Sequence, residues 1–130
     1  FLENDSGNLS ALLLRGIVLA DQEKLTSAQA DFEHCLSIAP FHDETHYRLS
    51  QVLFRLGDSS KATEHLQESQ RLSELKRRVL EINRRRETAA QDPVLMDKLA
   101  DLFEALGQPI TSEQWRRSAQ IARTRHHSGL

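Results

Sequence analysis

The sequence predicts an all-α fold, an array of antiparallel helix pairs, and three observations predict it. The stretch Thr26–Pro40, TSAQADFEHCLSIAP, returns in its size pattern 34 residues later as Ser60–Glu74, SKATEHLQESQRLSE. Ala28 falls on Ala62, Phe32 on Leu66, Cys35 on Ser69 and Ile38 on Leu72, so small and large residues keep step. Within each copy the spacings are four, three and three, which places these side chains on one face of a helix. A size pattern that recurs at this period marks stacked helix–turn–helix units. The third observation is a scarcity of breakers: five Gly and three Pro argue against a loop-rich or sandwich fold.

Taken in order, residues 1–8, FLENDSGN, read as a linker or frayed end. A first helix is predicted from about Leu9 to Gln22. Its Leu12, Leu13, Leu14, Ile17, Val18 and Leu19 cover more than one face, as in a helix buried on two sides or lacking a neighbour. A second helix runs from about Thr26 to Ile38 and is closed by Ala39-Pro40. A third runs from about Asp43 to Leu56, with Asp43 as N-cap and Gly57-Asp58 as the turn. The fourth starts near Ser59 and meets no Pro or Gly before Asp92, while Leu72, Leu75, Val79 and Ile82 keep helical spacing. One extended helix is therefore predicted over about 59–89, ending between Glu87 and Ala90. Asp92 caps a fifth helix with Pro93 as its first residue, running to about Leu106 on a stripe of Leu95, Leu99, Leu102, Phe103 and Leu106. Gly107-Gln108-Pro109 is the next turn, and a sixth helix starts at Thr111 or Ser112 with Trp115, Ala119 and Ala122 facing inward. Trp115 takes the large position of the size pattern only if the frame slips by one. Residues 124–130 are expected to fray. The resulting domain is 9–125, divided into repeats at about 9–42 and 43–76, an extension at 77–91 and a divergent repeat at 92–125, with a tail at 126–130.

The residues Gly16, Leu19, Ala28, Phe32 and Pro40 of the first copy carry a resemblance to the tetratricopeptide repeat (TPR) family. Gly16 and Ala28 are small where two helices cross, Phe32 fills the space beside them, and Pro40 stops the second helix. Leu49, Ser50, Leu53, Gly57, Ala62 and Leu66 play these parts in the second copy. The chain departs from the family at Leu12 and His46, where Trp is usual, and at Arg15, where Leu is usual. The resemblance implies a TPR-like superhelical array and a non-catalytic protein–protein interaction or scaffold module. It also implies a concave groove, lined by the first helix of each repeat, that holds a peptide or helix of a partner. The groove positions it implies are Leu13 and Ile17, then Tyr47, Gln51 and Phe54, then Asp97, Asp101 and Glu104. One TPR subfamily grips chaperone C-terminal carboxylates with Lys, Arg and Asn, and the matching positions here are apolar or acidic. A segment with an apolar anchor and basic residues suits such a groove better. Two other roles stand beside the groove for its apolar half: Tyr47 and Phe54 serving only to pack repeats together, and the first helix packing on an upstream repeat.

Composition narrows the function classes. A hydrophobic content of 38% with one Trp, one Tyr and five Phe is lean but sufficient for a helical stack. A net charge of −2 points to no polyanionic partner. One cysteine precludes an internal disulfide or a thiolate metal site and fits a reducing compartment, which favours the cytoplasm on that ground alone. No apolar run reaches membrane-spanning length and the N-terminus is not signal-like. The chain begins at Phe1 and reads as a fragment of something longer.

No catalytic motif, cofactor motif or metal motif emerges: there is no phosphate-binding glycine loop, nucleophile elbow or zinc-protease histidine pair. Cys35 beside His34 could be a nucleophile, but neighbours on a helix point about 100° apart and Cys35 holds a small buried position. His42 and His46 are four apart, as chelating histidines can be, yet His42 precedes the helix and a third ligand is missing. The basic cluster Lys76, Arg77, Arg78, Arg84, Arg85 and Arg86, with Arg116, Arg117, Arg123 and Arg125, offers an alternative basic surface for nucleic acid. Glu74, Glu81 and Glu87 offer it local partners, and only Trp115 is near enough in sequence for stacking, so nucleic acid is disfavoured. A further alternative is self-association into a homo-oligomer through the apolar first helix or the extended helix.

Overall fold

The computed structural model describes the backbone of residues 5–84 and 92–128 and the side chains of 8–84 and 92–125. The described residues form α1 (Asp5–Asp21), α2 (Leu25–Ile38), α3 (Asp43–Arg55), α4 (Ser59–Asn83), α5 (Pro93–Ala105) and α6 (Pro109–Ser128). They divide into two compact units, one ending at Leu72 and the other beginning at Ser73, within α4. In the first unit α1 packs on α2 and α2 on α3; in the second α5 packs on α6.

Several ends differ from expectation. α1 begins at Asp5, so residues 5–8 are helical and not linker; residues 1–4 lie outside the described residues. The residue capping α3 is His42, in extended backbone, and Asp43 is the first helical residue. There Asp43 and Glu44 lie in the first turn, where the positive end of the helix dipole favours them, while His42 makes no side-chain capping bond. α4 is described to Asn83, short of Glu87, with a turn at Arg84; residues 85–91 and the rest of the expected extension lie outside the described residues. α6 starts at Pro109, not at Thr111 or Ser112, because proline's fixed φ suits the first helical position, where no N–H is needed. It continues through Ser128, past the expected fraying point.

The start of α5 matches expectation. Pro93 opens the helix and an Asp92 carboxylate oxygen accepts the Val94 N–H at 2.9 Å. Asp92→Ala is expected to cost about 1 kcal/mol in urea unfolding of the second unit, and Asp92→Ser to recover most of it.

One backbone pattern closes all three helix pairs. Lys24 N–H donates to Leu19 O at 2.8 Å, Asp58 N–H to Leu53 O at 2.9 Å, and Gln108 N–H to Phe103 O at 2.8 Å. The residue before each donor has positive φ: Glu23 at 64°, Gly57 at 87° and Gly107 at 77°. This is the left-handed helix ending that glycine favours. Glu23 adopts it at a cost of about 1 kcal/mol, and its carboxylate is held by Arg55. The turns set the register of α6. Ser112 and Ala119, fifty residues after Ala62 and Ser69, are buried as those residues are. No slip of frame is required, and the position fifty after Leu66 is Arg116, with Trp115 half-buried beside it.

The core of the first unit joins Ala28, Phe32, Leu49, Val52, Leu53 and Ala62, with Leu13, Ile17, Leu19, Ala20, Leu25 and Leu36 packed against it. Burying a side chain such as Phe32 contributes roughly 1.5–3 kcal/mol. In the second unit Met96, Leu99, Ala100, Leu106 and Ala119 are buried. α1 keeps Leu14 and Val18 exposed, at 62% and 44%.

Candidate functional site

Tyr47, Gln51 and Phe54 are spaced by four and three on α3, so a helical backbone places them along one stripe. All three are exposed, Tyr47 at 44% and Phe54 at 46%. The stripe is braced from within: Gln51 donates its amide N–H to the Tyr47 hydroxyl at 3.0 Å, and Ser50 donates its hydroxyl to the Tyr47 carbonyl at 2.6 Å. Beneath it, Leu49, Val52 and Leu53 of the opposite face anchor α3 in the core. Leu13 and Ile17 of α1 are half-buried and pack on that core. Ile17 and Gln51 meet in a pocket of about 80 Å³ with Phe32, Arg48 and Arg55. There Arg48 Nε is buried without a hydrogen-bond partner.

The acidic positions lie on α5 in the second unit, and each is paired. Asp101 and Glu104 accept from Arg116 at 3.0 and 3.4 Å, and Asp97 accepts from Arg123 at 2.5 Å. Beside those carboxylates the Arg116 guanidinium is stabilised in its charged form, chiefly by its hydrogen bond to Asp101. Sequence reasoning found the acids but not these partners, which lie across the helix pair and not at helical spacing. Exposed pairs of this kind contribute little stability and exchange readily for other ions.

The basic cluster is similarly engaged. Arg77 reaches Glu74 at 2.7 Å and Glu81 at 2.8 Å, and Arg78 reaches Glu74 at 3.3 Å. The hydrogen bond from Arg77 holds the Glu74 carboxyl down to about 2. Lys76 is exposed and also has an interaction partner; Arg84 is exposed, and Arg85 and Arg86 lie outside the described residues.

The residues weighed for chemistry are committed to the fold. Cys35 is fully buried, and burial pushes its thiol up, away from the reactive thiolate. His42 bonds Thr45 Oγ1 through Nδ1 at 2.7 Å. His46 uses both ring nitrogens, Nε2 toward Pro40 O at 2.8 Å and Nδ1 toward His65 Nδ1 at 2.9 Å, so the two do not converge on a common point as chelating ligands must. His65 was missed in the sequence: it is 19 residues from His46, and nothing local connects them. Among the described residues no helix is long and apolar enough to cross a membrane.

A family model described as Tetratricopeptide repeat matches residues 9–42 and 43–74, just over half of the chain. No curated protein matches the chain.

Proposed function

Given that the chain belongs to the tetratricopeptide repeat family, whose repeats generally mediate protein–protein interaction or scaffolding, we propose that it binds a segment of a partner protein on the α3 stripe. The α5–α6 pair is a third, divergent repeat in this reading, and the chain does no catalysis itself. One observation carries it: two aromatic side chains, Tyr47 and Phe54, stand nearly half exposed on a stripe whose other face is locked in the core. Aromatic anchors on a rigid helix supply contact area at low ordering cost. Leu13 and Ile17 extend the apolar surface as groove positions. In the second unit, taken by itself, Asp97, Asp101 and Glu104 are proposed as ion-exchange positions, where a basic residue of the partner takes the place of Arg116 or Arg123. Because those carboxylates are already paired, the aromatic stripe supplies most of the affinity.

The test is capture of partners by the parent chain beside Tyr47→Ala/Phe54→Ala and, separately, Asp101→Lys, each with an unchanged helical spectrum. A partner should be lost from the double variant, by tenfold or more in Kd, and weakened only modestly by Asp101→Lys. Equal capture by parent and double variant would remove the stripe as the site.

A further inference from the structure

The interior contact between His46 of α3 and His65 of α4 has a proton count that its geometry fixes. Pro40 O can only accept, so His46 Nε2, 2.8 Å away, carries a hydrogen. In the neutral ring that leaves His46 Nδ1 as a lone pair. His65 Nδ1 lies 2.9 Å from it and must donate. The rings stack with centroids 5.2 Å apart and an interplanar angle of 29°. A first added proton goes to His65 Nε2 and leaves the Nδ1–H···Nδ1 bond in place. A second has only His46 Nδ1 left to occupy, and it would set two N–H groups head to head across 2.9 Å. The folded pair therefore holds at most one charge, whereas two histidines in the unfolded chain hold two.

We propose that the His46–His65 pair is a proton-operated latch, closed at neutral pH and forced open by the second proton on acidification. What it fastens follows from its atoms. Pro40 closes the first family-matched repeat, and His46 and His65 belong to the second, so one ring ties the end of the first repeat to both helices of the next. His46 is only 8% exposed, so an opened latch brings a buried ring to water. The surroundings do not rescue the second charge by direct contact. Burial chiefly holds the His65 imidazole below its ordinary value, with the neighbouring His46 and Lys61 acting in the same direction, and Glu64 of α4 and Glu33 of α2 oppose them without reversing the shift. Glu68, which feels both rings, is engaged by Arg71 at 2.7 Å. The inference does not depend on the partner-binding reading, since it is read on the free chain.

The sign is fixed by linkage. Below the ordinary histidine range the second proton alone leaves the unfolded chain one proton ahead of the latched pair, so from this source stability falls as pH falls, by about tenfold in the unfolding constant per pH unit. The experiment is equilibrium urea unfolding of the full chain between pH 7.5 and 5.0, followed by helical ellipticity and by amide resonances of residues 43–72. It is run beside His65→Asn, whose side-chain amide donates to His46 Nδ1 or, turned over, accepts from it, and so tolerates either state. The parent should lose about tenfold more per pH unit than His65→Asn below pH 6; equal slopes overturn the proposal. Long-range ¹H–¹⁵N spectra of the parent give a second reading that needs no variant. At pH 7.5 they should show hydrogen on His46 Nε2 and on His65 Nδ1. Hydrogen on His46 Nδ1 at pH 7.5, or on both Nδ1 atoms at pH 5 with the α3 and α4 resonances unmoved, also overturns it.

Discussion

Gly16→Ala is expected to destabilise the first unit by up to about 2 kcal/mol, against the usual direction of a glycine-to-alanine change inside a helix. Propensity alone would favour alanine by about 1 kcal/mol. Packing opposes it: a Cβ at Gly16 would sit 2.5 Å from Phe32 Cε1, 2.9 Å from Cδ1 and 3.0 Å from Cζ. Phe32 is fully buried among Ala28, Leu49 and Leu53, so its ring cannot swing away without disturbing the core. Overpacking of this kind costs about 1–3 kcal/mol before the propensity gain is counted. The chain itself carries the compensated arrangement. Ser50 and Leu66 stand 34 residues after Gly16 and Phe32, a larger small residue with a smaller large one. Gly16→Ser and Phe32→Leu should each destabilise, the latter by about 1 kcal/mol from lost burial. Together they should cost less than the sum of the two, because each relieves the other. Urea midpoints of the parent and the four variants check this. A Gly16→Ala chain as stable as the parent, or strictly additive costs, would show that the close approach is not a constraint.

The same pair shows why the fold was legible. Gly16, Ala28 and Phe32 with their counterparts repeat a size pattern at a fixed period, and a size pattern survives where identities have drifted. The register of α6 was not legible, because the large position is taken by Arg116, which spends its charge on Asp101 and Glu104. The feature that sets it, the left-handed turn residue, appears as glycine at Gly57 and Gly107 but as Glu23 in the first pair. A backbone conformation held by a glutamate leaves no mark in the sequence. At the candidate site, it was the family resemblance that pointed to Tyr47, Gln51 and Phe54, and their spacing of four and three on α3 puts them on one stripe. The cross-helix bonds, from Arg116 and Arg123 to the acids and from His65 to His46, join residues 12 to 26 positions apart. No local spacing rule reaches that far.

Arg15→Leu should be the second large effect, although it installs the residue that the family usually has there. Arg15 Nε and Nη2 donate to the two oxygens of Asp31 at 2.7 Å each, a bidentate clasp of α1 on α2. The two ends differ in exposure: the Arg15 side chain is 65% exposed and that of Asp31 only 9%. Leucine would thus strand a carboxylate that water barely reaches. An orphaned acceptor costs about 1–3 kcal/mol, and solvent screening at the Arg15 end places the expected loss for Asp31 near the low end. The hydrogen bond from Arg15 holds the Asp31 carboxyl below its ordinary value of 3.8, against the opposing effect of burial. Linkage then gives the sign. The folded carboxyl binds its proton later than the unfolded one, so the stabilisation is complete above the ordinary value and is lost as pH falls through the folded one. Arg15→Leu should therefore lower stability at pH 7 and flatten its fall as pH drops through and below the ordinary carboxylate value. The decisive comparison adds Asp31→Ala. If the clasp acts as described, Arg15→Leu/Asp31→Ala recovers much of what Arg15→Leu loses, and leucine at this position stabilises only when the buried acid leaves with the arginine. If the double variant is worse than Arg15→Leu by the full cost of Asp31→Ala alone, the two residues are uncoupled and the clasp contributes nothing.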